Sequence, residues 1–130
     1  ALDKDGNLAA GTSTGGMTYK PPGRIRDSTI IGAGSYANNN TCAVSATGHG
    51  EFFIRNVISY DISARMEYAG SSLQEATEEL INGKLKSLKA NGGVIAVDRS
   101  GNIAMPFNTE SMIRAYITSS GDKGIIIFEE

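Results

Sequence analysis

Covalent cross-links and membrane spans are the first features that this sequence lacks. Its 130 residues include no tryptophan, three prolines and one cysteine, Cys42. One thiol cannot close a disulfide within the chain, which excludes the disulfide-stapled scaffold of small secreted proteins. No apolar run approaches the roughly 20 residues that a membrane-spanning helix needs, and no signal-peptide pattern is visible. The sequence therefore predicts a cytoplasmic protein with no membrane partner.

A basic surface is missing as well. The formal net charge is −2, whereas a general nucleic-acid-binding protein needs a basic face, so we expect no nucleic-acid partner. Hydrophobic residues make up 40% of the chain and charged residues 20%, a balance that excludes disorder. A chain of this length buries roughly two-thirds of its unfolded surface, enough for a core.

Charge is almost absent from the first part of the chain. The 45 residues from Gly6 to Gly50 contain only four charged side chains, which are Lys20, Arg24, Arg26 and Asp27. A surface helix would carry charge at helical spacing, so the neutral segments on either side predict strands that are buried on both faces. The 16 glycines of the chain include nine in its first 50 residues, where we expect close approaches to the backbone.

The predicted elements run as strands, then helices, then strands. We predict strands at 7–13, 30–37 and 41–47, helices at 51–68 and 72–88, and strands at 94–97, 102–107 and 123–129. The Pro-Pro-Gly of 21–23 makes 20–27 a loop, and residues 72–75 resemble a capping box. This order predicts an α+β fold with antiparallel neighbouring strands and one unit over 1–130.

The first candidate site is the hydroxyl-rich stretch TSTGG at 12–16. It has two interpretations: a strand end followed by a flexible turn, or a hydroxyl held by a rigid strand end where two glycines let a substrate approach.

The second candidate is the charged cluster around Arg24 and Asp27. It is either an exposed, solvated loop or a pocket for a zwitterion. In a pocket, Arg24 would bind a carboxylate through two hydrogen bonds and Asp27 would accept from an ammonium group of the same ligand. That pairing suits an α-amino acid.

The third candidate is TGHG at 47–50, directly before a predicted helix. It is either an ordinary glycine-flanked helix start or an oxyanion site made of backbone N–H groups. His49 is the only histidine, which leaves neither a metal site nor a Ser–His–Asp triad. We interpret His49 as a partly exposed loop residue and Cys42 as core filler. No cofactor is predicted, and no activated nucleophile or general base is present.

Five motifs in order resemble the β-subunit of plant-type asparaginases, also called isoaspartyl aminopeptidases. They are TSTGG (12–16), GRIRDS (23–28), GAGSYA (32–37), AVSATGHGE (43–51) and MPFNT (105–109). Members of that family are N-terminal-nucleophile hydrolases with a layered αββα sandwich. The resemblance implies a precursor that cleaves itself, freeing a threonine that heads the β-subunit. The hydroxyl of that threonine is the nucleophile and its α-amine the base.

The same resemblance implies roles for six residues. Thr14 would support the nucleophile. Arg24 would hold the α-carboxylate group of the substrate and Asp27 its α-amino group. Thr47 and Gly48 would form the oxyanion hole, and Gly50 would line the pocket. The catalytic threonine itself would lie a few residues before Ala1. The implied reaction is hydrolysis of the side-chain amide of L-asparagine and of β-aspartyl dipeptides.

Two residues depart from the family pattern, which usually has glycine in place of Arg26 and proline in place of Thr29. Arg26 adds charge and bulk beside the substrate loop, so specificity is expected to differ. Alternatives also stay open: a glycosylasparaginase, against which Gly15 argues, a threonine endopeptidase, or a non-catalytic amino-acid-binding subunit.

A partner chain is predicted on physical grounds. Strands buried on both faces need cover, and two helices cover only one side of a sheet. The resemblance implies an α-subunit from the same precursor, two of these αβ pairs forming a dimer of heterodimers. The chain would then be the C-terminal half of the shared domain.

Overall fold

The computed structural model describes residues 1–128 and has a mixed α and β fold. One sheet contains four antiparallel strands in the order β1 (Ser35–Ala37), β2 (Cys42–Gly48), β3 (Gly92–Asp98) and β4 (Ile103–Ala104). Between β2 and β3 lie α1 (Gly50–Asn56), α2 (Ile58–Ala69) and α3 (Leu73–Glu78), the last continued by a π-helical segment (Glu79–Leu85). A separate antiparallel hairpin follows, with β5 (Arg114–Ile117) and β6 (Lys123–Ile126). The predicted α+β class and antiparallel pairing are confirmed.

The core lies between the helices and one face of the sheet. Strands β2 and β3 pair over their full length, from Cys42 opposite Asp98 to Gly48 opposite Gly92. Because side chains alternate along a strand, every second residue of β2 faces the helices. The side chains of Cys42 and Val44 there are fully buried. The helical segments contribute most of the remaining buried apolar cluster, and β3 adds Val94 and Ala96. The fully buried helical residues are Phe53, Ile58, Ile62, Ala76, Leu80, Ile81 and Leu85.

The other face of the sheet carries no helix within the described residues. Ile95 and Ile103 point to this side and are 44% and 37% exposed. Beside them lies an open concave surface of about 720 Å³. No helix of the described part of the chain is long and apolar enough to cross a membrane.

The predicted helix at 51–68 is broken in two at Val57. This residue adopts a left-handed conformation with a φ of 49°, ending α1 and starting α2. The break lets the first turn of α2 bond to the loop before β1: the N–H of Tyr60 donates to the carbonyl of Gly32 at 2.9 Å, and the hydroxyl of Ser59 donates to that of Ala33 at 2.7 Å. These tertiary bonds offset the strain of a β-branched residue at positive φ.

The predicted second helix begins where its capping box placed it. The N–H of Glu75 donates to the hydroxyl of Ser72 at 3.2 Å, and the N–H of Ser72 donates to the carboxylate of Glu75 at 2.9 Å. The helical stretch runs on as predicted, but residues 79–85 are π-helical.

Several predicted strands are shorter than expected. The segment 7–13 is not a strand: it makes one isolated bridge, between Leu8 and Leu2, and otherwise follows the surface of the sheet. The predicted strand 30–37 starts only at Ser35, because residues 30–34 curl around a short 3₁₀ turn at Asp27–Thr29. The partner strand predicted at 102–107 is reduced to β4, with one further bridge from Phe107 to Gly93.

Of the two strands of the final hairpin, only one was predicted. Strand β6 falls within the predicted 123–129, of which Glu129 lies outside the described residues, whereas β5 was missed. The apolar residues of β5 are mostly exposed, so its pattern carries no burial signal.

Candidate active site

A cavity of about 310 Å³ lies where the end of β2 meets the N-terminal segment and the 3₁₀ turn. It brings together four of the six predicted site residues, Thr14, Asp27, Thr47 and Gly48. The remaining lining residues are Gly11, Thr12, Ser13, Arg26, Ser28, Ser45, Ala46, Val94, Ile95, Met112 and Ile113. Arg24 and Gly50 do not line the cavity, although Gly50 lies directly against the side chain of Asp27, which does.

Asp27 is the buried anion of this cavity, only 4% exposed. Its carbonyl accepts from the N–H of Ile30 at 2.9 Å and from that of Gly34 at 3.0 Å, which fixes the turn. Two glycines make room for it: a Cβ at position 50 would lie 2.7 Å from the Asp27 Oδ1, and one at position 34 would overlap the Asp27 backbone. The placement of this carboxylate therefore depends on the absence of side chains at both positions.

The Asp27 carboxylate also has an unpartnered oxygen. Its Oδ2 is buried without a hydrogen-bond partner in the described part of the chain. Burial raises the pKa of Asp27, against the opposing effects of hydrogen bonds from its own backbone and Ser28 and of the nearby charge of Arg26. A buried acceptor without a donor is costly in the free protein and is ready to accept from a ligand.

Thr47 and Gly48 form the mouth of the cavity at the end of β2. Thr47 is exposed, and Gly48 has a φ of 144° with its Cα pressed against the backbone of Asn91 and Gly92. A side chain at position 48 would be both sterically blocked and conformationally strained. The chain then turns through His49, whose N–H donates to the Asn91 carbonyl at 2.9 Å, into α1.

Thr14 lies in an exposed turn at the edge of the cavity, where its hydroxyl accepts from the N–H of Gly16 at 3.0 Å. Thr12 is the threonine that ties this segment to the sheet. Its hydroxyl lies 3.1 Å from the carbonyl of Gly34 and 2.8 Å from the hydroxyl of Ser45. Both interpretations of TSTGG therefore have a counterpart here: a turn, and hydroxyls anchored beside a cavity.

The two arginines of the charged loop are placed differently. The guanidinium of Arg24 lies 3.6 Å from the carboxylate of Glu51, with the two side chains 37% and 51% exposed. Arg26 lines the cavity and is 9% exposed. Among residues 1–128 its side chain makes no hydrogen bond or ion pair, and its Nη1 lies against the backbone of Gly16.

His49 and Cys42 take the places predicted for them. The Nδ1 of His49 accepts from the N–H of Asn91 at 3.3 Å, and its partly exposed ring lies against Phe52. Cys42 is fully buried, and burial raises the pKa of its thiol to about 11, so it stays protonated and unreactive.

Sequence reasoning missed the residue that braces the mouth, Asn108. Its Oδ1 accepts from the N–H of Gly92 at 2.7 Å, and its Nδ2 donates to the carbonyls of Ala90 and Ile81 at 2.9 and 3.1 Å. These bonds hold the start of β3, which pairs with Thr47 and Gly48. Asn108 lies in the MPFNT motif, but no spacing rule connects it to residues so distant in sequence.

Comparison with known proteins gives consistent results. Residues 1–127 match a family described as asparaginase. The chain is 60% identical over 116 residues to the isoaspartyl peptidase of Escherichia coli, covering 89% of the chain and 36% of that protein. It is 44% identical over 128 residues to a probable isoaspartyl peptidase/L-asparaginase of Arabidopsis thaliana, covering 98% of the chain and 38% of that protein. It is also 42% identical over 117 residues to a plant-type L-asparaginase of Pyrobaculum calidifontis, covering 89% and 39%. The chain thus spans little more than a third of the length of these relatives.

Proposed function

Because the chain belongs to the asparaginase family, we propose that the protein of which it forms part hydrolyses the side-chain amide of L-asparagine and β-aspartyl dipeptides. The relatives named above as isoaspartyl peptidase and L-asparaginase support both substrates. The observation that carries the proposal is the single cavity in which Thr14, Asp27, Thr47 and Gly48 converge. These residues come from three separate stretches of the chain.

The nucleophile in this proposal is a threonine outside this chain, the first residue of the mature subunit. Its hydroxyl attacks the side-chain carbonyl carbon while its own α-amine takes the proton. Thr47 and Gly48 stabilise the resulting oxyanion, a contribution of about 3 kcal/mol per donor in comparable sites. Collapse of this intermediate expels ammonia or the amine of the second amino acid, which takes up the proton. Water then hydrolyses the acyl-enzyme ester and releases aspartate.

Recognition of the substrate requires a pair of opposite charges. Asp27 accepts from the α-ammonium group through the oxygen that has no hydrogen-bond partner among residues 1–128. The α-carboxylate requires a cation from the same loop, the role that family resemblance assigns to Arg24. Thr14 supports the nucleophile at the edge of the cavity.

We further propose a partner subunit from the same precursor that covers the helix-free face of the sheet and completes an αββα sandwich. This chain and its partner form a heterodimer, and two heterodimers associate into a dimer. The concave surface of about 720 Å³ on that face, lined in part by Ile95, Ile103 and Ile117, supports this arrangement. So does the exposure of Ile103, since isolated sheets do not leave apolar faces to water.

The activity is tested on the complete protein with three substrates: L-asparagine, a β-aspartyl dipeptide and the corresponding α-aspartyl dipeptide. We expect hydrolysis of the first two and none of the third. N-terminal sequencing of the mature subunit is expected to show threonine as its first residue. An inactive protein, or an active one without that threonine, would contradict the proposal.

The role of Thr14 is tested by Thr14→Val, with Thr18→Val as the matched control on the same exposed segment. Loss of the supporting hydroxyl is expected to lower kcat by about 10- to 100-fold with little change in KM, on the scale of other positioned catalytic groups. Thr18→Val is expected to keep the wild-type rate. Equal rates in the two variants would remove Thr14 from the mechanism.

A further inference from the structure

Asn108 holds both backbone groups of Gly92, the residue directly opposite Gly48 in the pairing of β2 with β3. Its Oδ1 accepts from the N–H of Gly92 at 2.7 Å, and its backbone N–H donates to the carbonyl of Gly92 at 3.0 Å. Its Nδ2 donates to the carbonyls of Ala90 and Ile81 at 2.9 and 3.1 Å. Both amide hydrogens and the amide oxygen of this side chain are therefore bonded to backbone, which fixes its orientation.

The two carbonyls that anchor the Asn108 amide belong to the helical layer. Ile81 is fully buried in the π-helical segment, and Ala90 is buried just after the helical stretch ends. Short π-helical stretches recur at functional sites. Asn108 thus connects the buried side of the helices to the first residue of β3.

The start of β3 lies in direct backbone contact with the mouth of the cavity. A Cβ at Gly48 would overlap the carbonyl oxygen of Asn91 and the Cα of Gly92, and one at Gly92 would lie 2.5 Å from the carbonyl oxygen of Thr47. The N–H of His49 donates to the Asn91 carbonyl at 2.9 Å. Because no side chain separates these backbones, a shift of Gly92 is passed on to Thr47 and Gly48.

From these contacts we infer that Asn108 is a positioning residue for the oxyanion hole. By fixing Gly92 it sets where Thr47 and Gly48 present their donors to the developing charge. This role rests on the proposed function of the site. Asn108 does not line the cavity, so its contribution is to the transition state and not to substrate binding. Donors to an oxyanion are effective only when they are held within hydrogen-bond distance of it, and small displacements are costly.

The test compares Asn108→Ala with Ser63→Ala in the complete protein. Asn108→Ala removes the three side-chain bonds but keeps the backbone bond from residue 108 to Gly92. Ser63→Ala also removes a buried hydrogen bond, the one between the hydroxyls of Ser63 and Thr41 at 2.6 Å. Thr41 directly precedes β2, whose seven residues put Gly48 about 20 Å away at the other end. This control therefore weakens the fold without touching the mouth.

We expect Asn108→Ala to lower kcat by about 10- to 100-fold while KM stays within about threefold of wild type, because only the transition state loses stabilisation. The factor should be the same for L-asparagine and for a β-aspartyl dipeptide, since both pass through the same oxyanion. Ser63→Ala, assayed like the others well below its Tm, should keep the wild-type kcat. A wild-type kcat in Asn108→Ala, equal losses in both variants, or a loss mainly in KM would overturn the inference.

If Asn108→Ala fails to fold, as judged by its Tm, Asn108→Asp decides. The aspartate has the same shape and still accepts from the N–H of Gly92, but it cannot donate to the carbonyls of Ala90 and Ile81. Without these anchors Gly92 is held less firmly, and kcat should fall at least about threefold at an unchanged KM. A wild-type kcat in Asn108→Asp would count against the role of Asn108.

Failure of the proposed function is distinguishable from failure of this inference. If the wild-type protein hydrolyses neither substrate, amide hydrogen exchange measures the same coupling without turnover. The N–H of His49 bonds to the Asn91 carbonyl and not to Asn108, and it should exchange at least about tenfold faster in Asn108→Ala than in wild type. Ser63→Ala should exchange there at the wild-type rate. Unchanged exchange at His49 in Asn108→Ala, or equally accelerated exchange in both variants, overturns the positioning role.

Discussion

At the scale of single residues, the cavity is defined by what is missing from positions 34, 48 and 50. Each of these glycines lies against backbone or against Asp27 so closely that a Cβ would displace its neighbour. Glycine-rich composition alone indicated close approaches somewhere in the first 50 residues. The neighbour of each glycine is set by the way the 3₁₀ turn, β1 and α1 pack together. These neighbours can therefore be identified only from the folded structure.

Asp27 provides a residue-scale prediction about pH. Burial raises its pKa above the ordinary value of 3.8, so the folded protein holds this proton more tightly than the unfolded chain does. Its contribution to the free energy of unfolding therefore falls as the pH rises from 3.8 through the raised pKa. At neutral pH the buried charge destabilises the fold.

Asp27→Asn should therefore raise the free energy of unfolding at pH 7 by about 1 kcal/mol, which is the usual cost of burying a polar group without a hydrogen-bond partner. The same substitution should abolish recognition of the ammonium group of the substrate. Urea unfolding of the complete protein at pH 7 and pH 4 measures this, and the advantage of the variant should shrink at pH 4. Asp122→Asn, on an exposed turn, serves as the control. A variant less stable than wild type at pH 7 would refute the assigned cost.

At the scale of elements, some helix and strand boundaries are determined by neighbouring residues and others by tertiary contacts. The capping box at Ser72 is encoded within four residues, and the helix starts where that code places it. The break at Val57 has no local code, because valine disfavours a positive φ, and it depends on bonds from α2 to the carbonyls of Gly32 and Ala33. Strand β5 was also missed, because Ala115, Tyr116 and Ile117 are apolar in succession and its sequence shows no alternation of polar and apolar residues.

The capping box also gives a prediction at this scale. Ser72→Ala removes the hydroxyl that accepts from the N–H of Glu75, which should lower the free energy of unfolding by about 1 kcal/mol. Chemical denaturation of the complete protein measures the loss. Ser71→Ala is the matched control, since the Ser71 hydroxyl makes no hydrogen bond in the described part of the chain. Equal stability of both variants would show that the cap contributes little.

At the scale of the whole molecule, the helices within residues 1–128 cover the sheet on one side only. Ile103 lies on the helix-free face and is 37% exposed, beside the concave surface of about 720 Å³. Because about a third of the side chain is still exposed, covering it contributes about a third of the value for full burial, roughly 0.5–1 kcal/mol. The proposed partner subunit would supply that cover.

Ile103→Glu should therefore impair assembly, because a carboxylate would have to be buried at the subunit interface. Size-exclusion chromatography with light scattering is expected to show dissociated or aggregated material. Leu88→Glu is the control, since Leu88 is 42% exposed on the helical side and its variant should assemble normally. Normal assembly of Ile103→Glu would place the interface elsewhere.

The linear sequence by itself determined the class of fold, the antiparallel pairing, the cap at Ser72 and the family, because these depend on composition, periodicity and ordered motifs. It also singled out Thr14, Asp27, Thr47 and Gly48 before any geometry was known. Tertiary structure alone decided that Arg26 lines the cavity while Arg24 pairs with Glu51, and that Asn108 braces β3. Two arginines one residue apart have nearly identical local signals. Their surroundings come from segments distant in sequence, and burial and counter-ions exist only once those segments pack together.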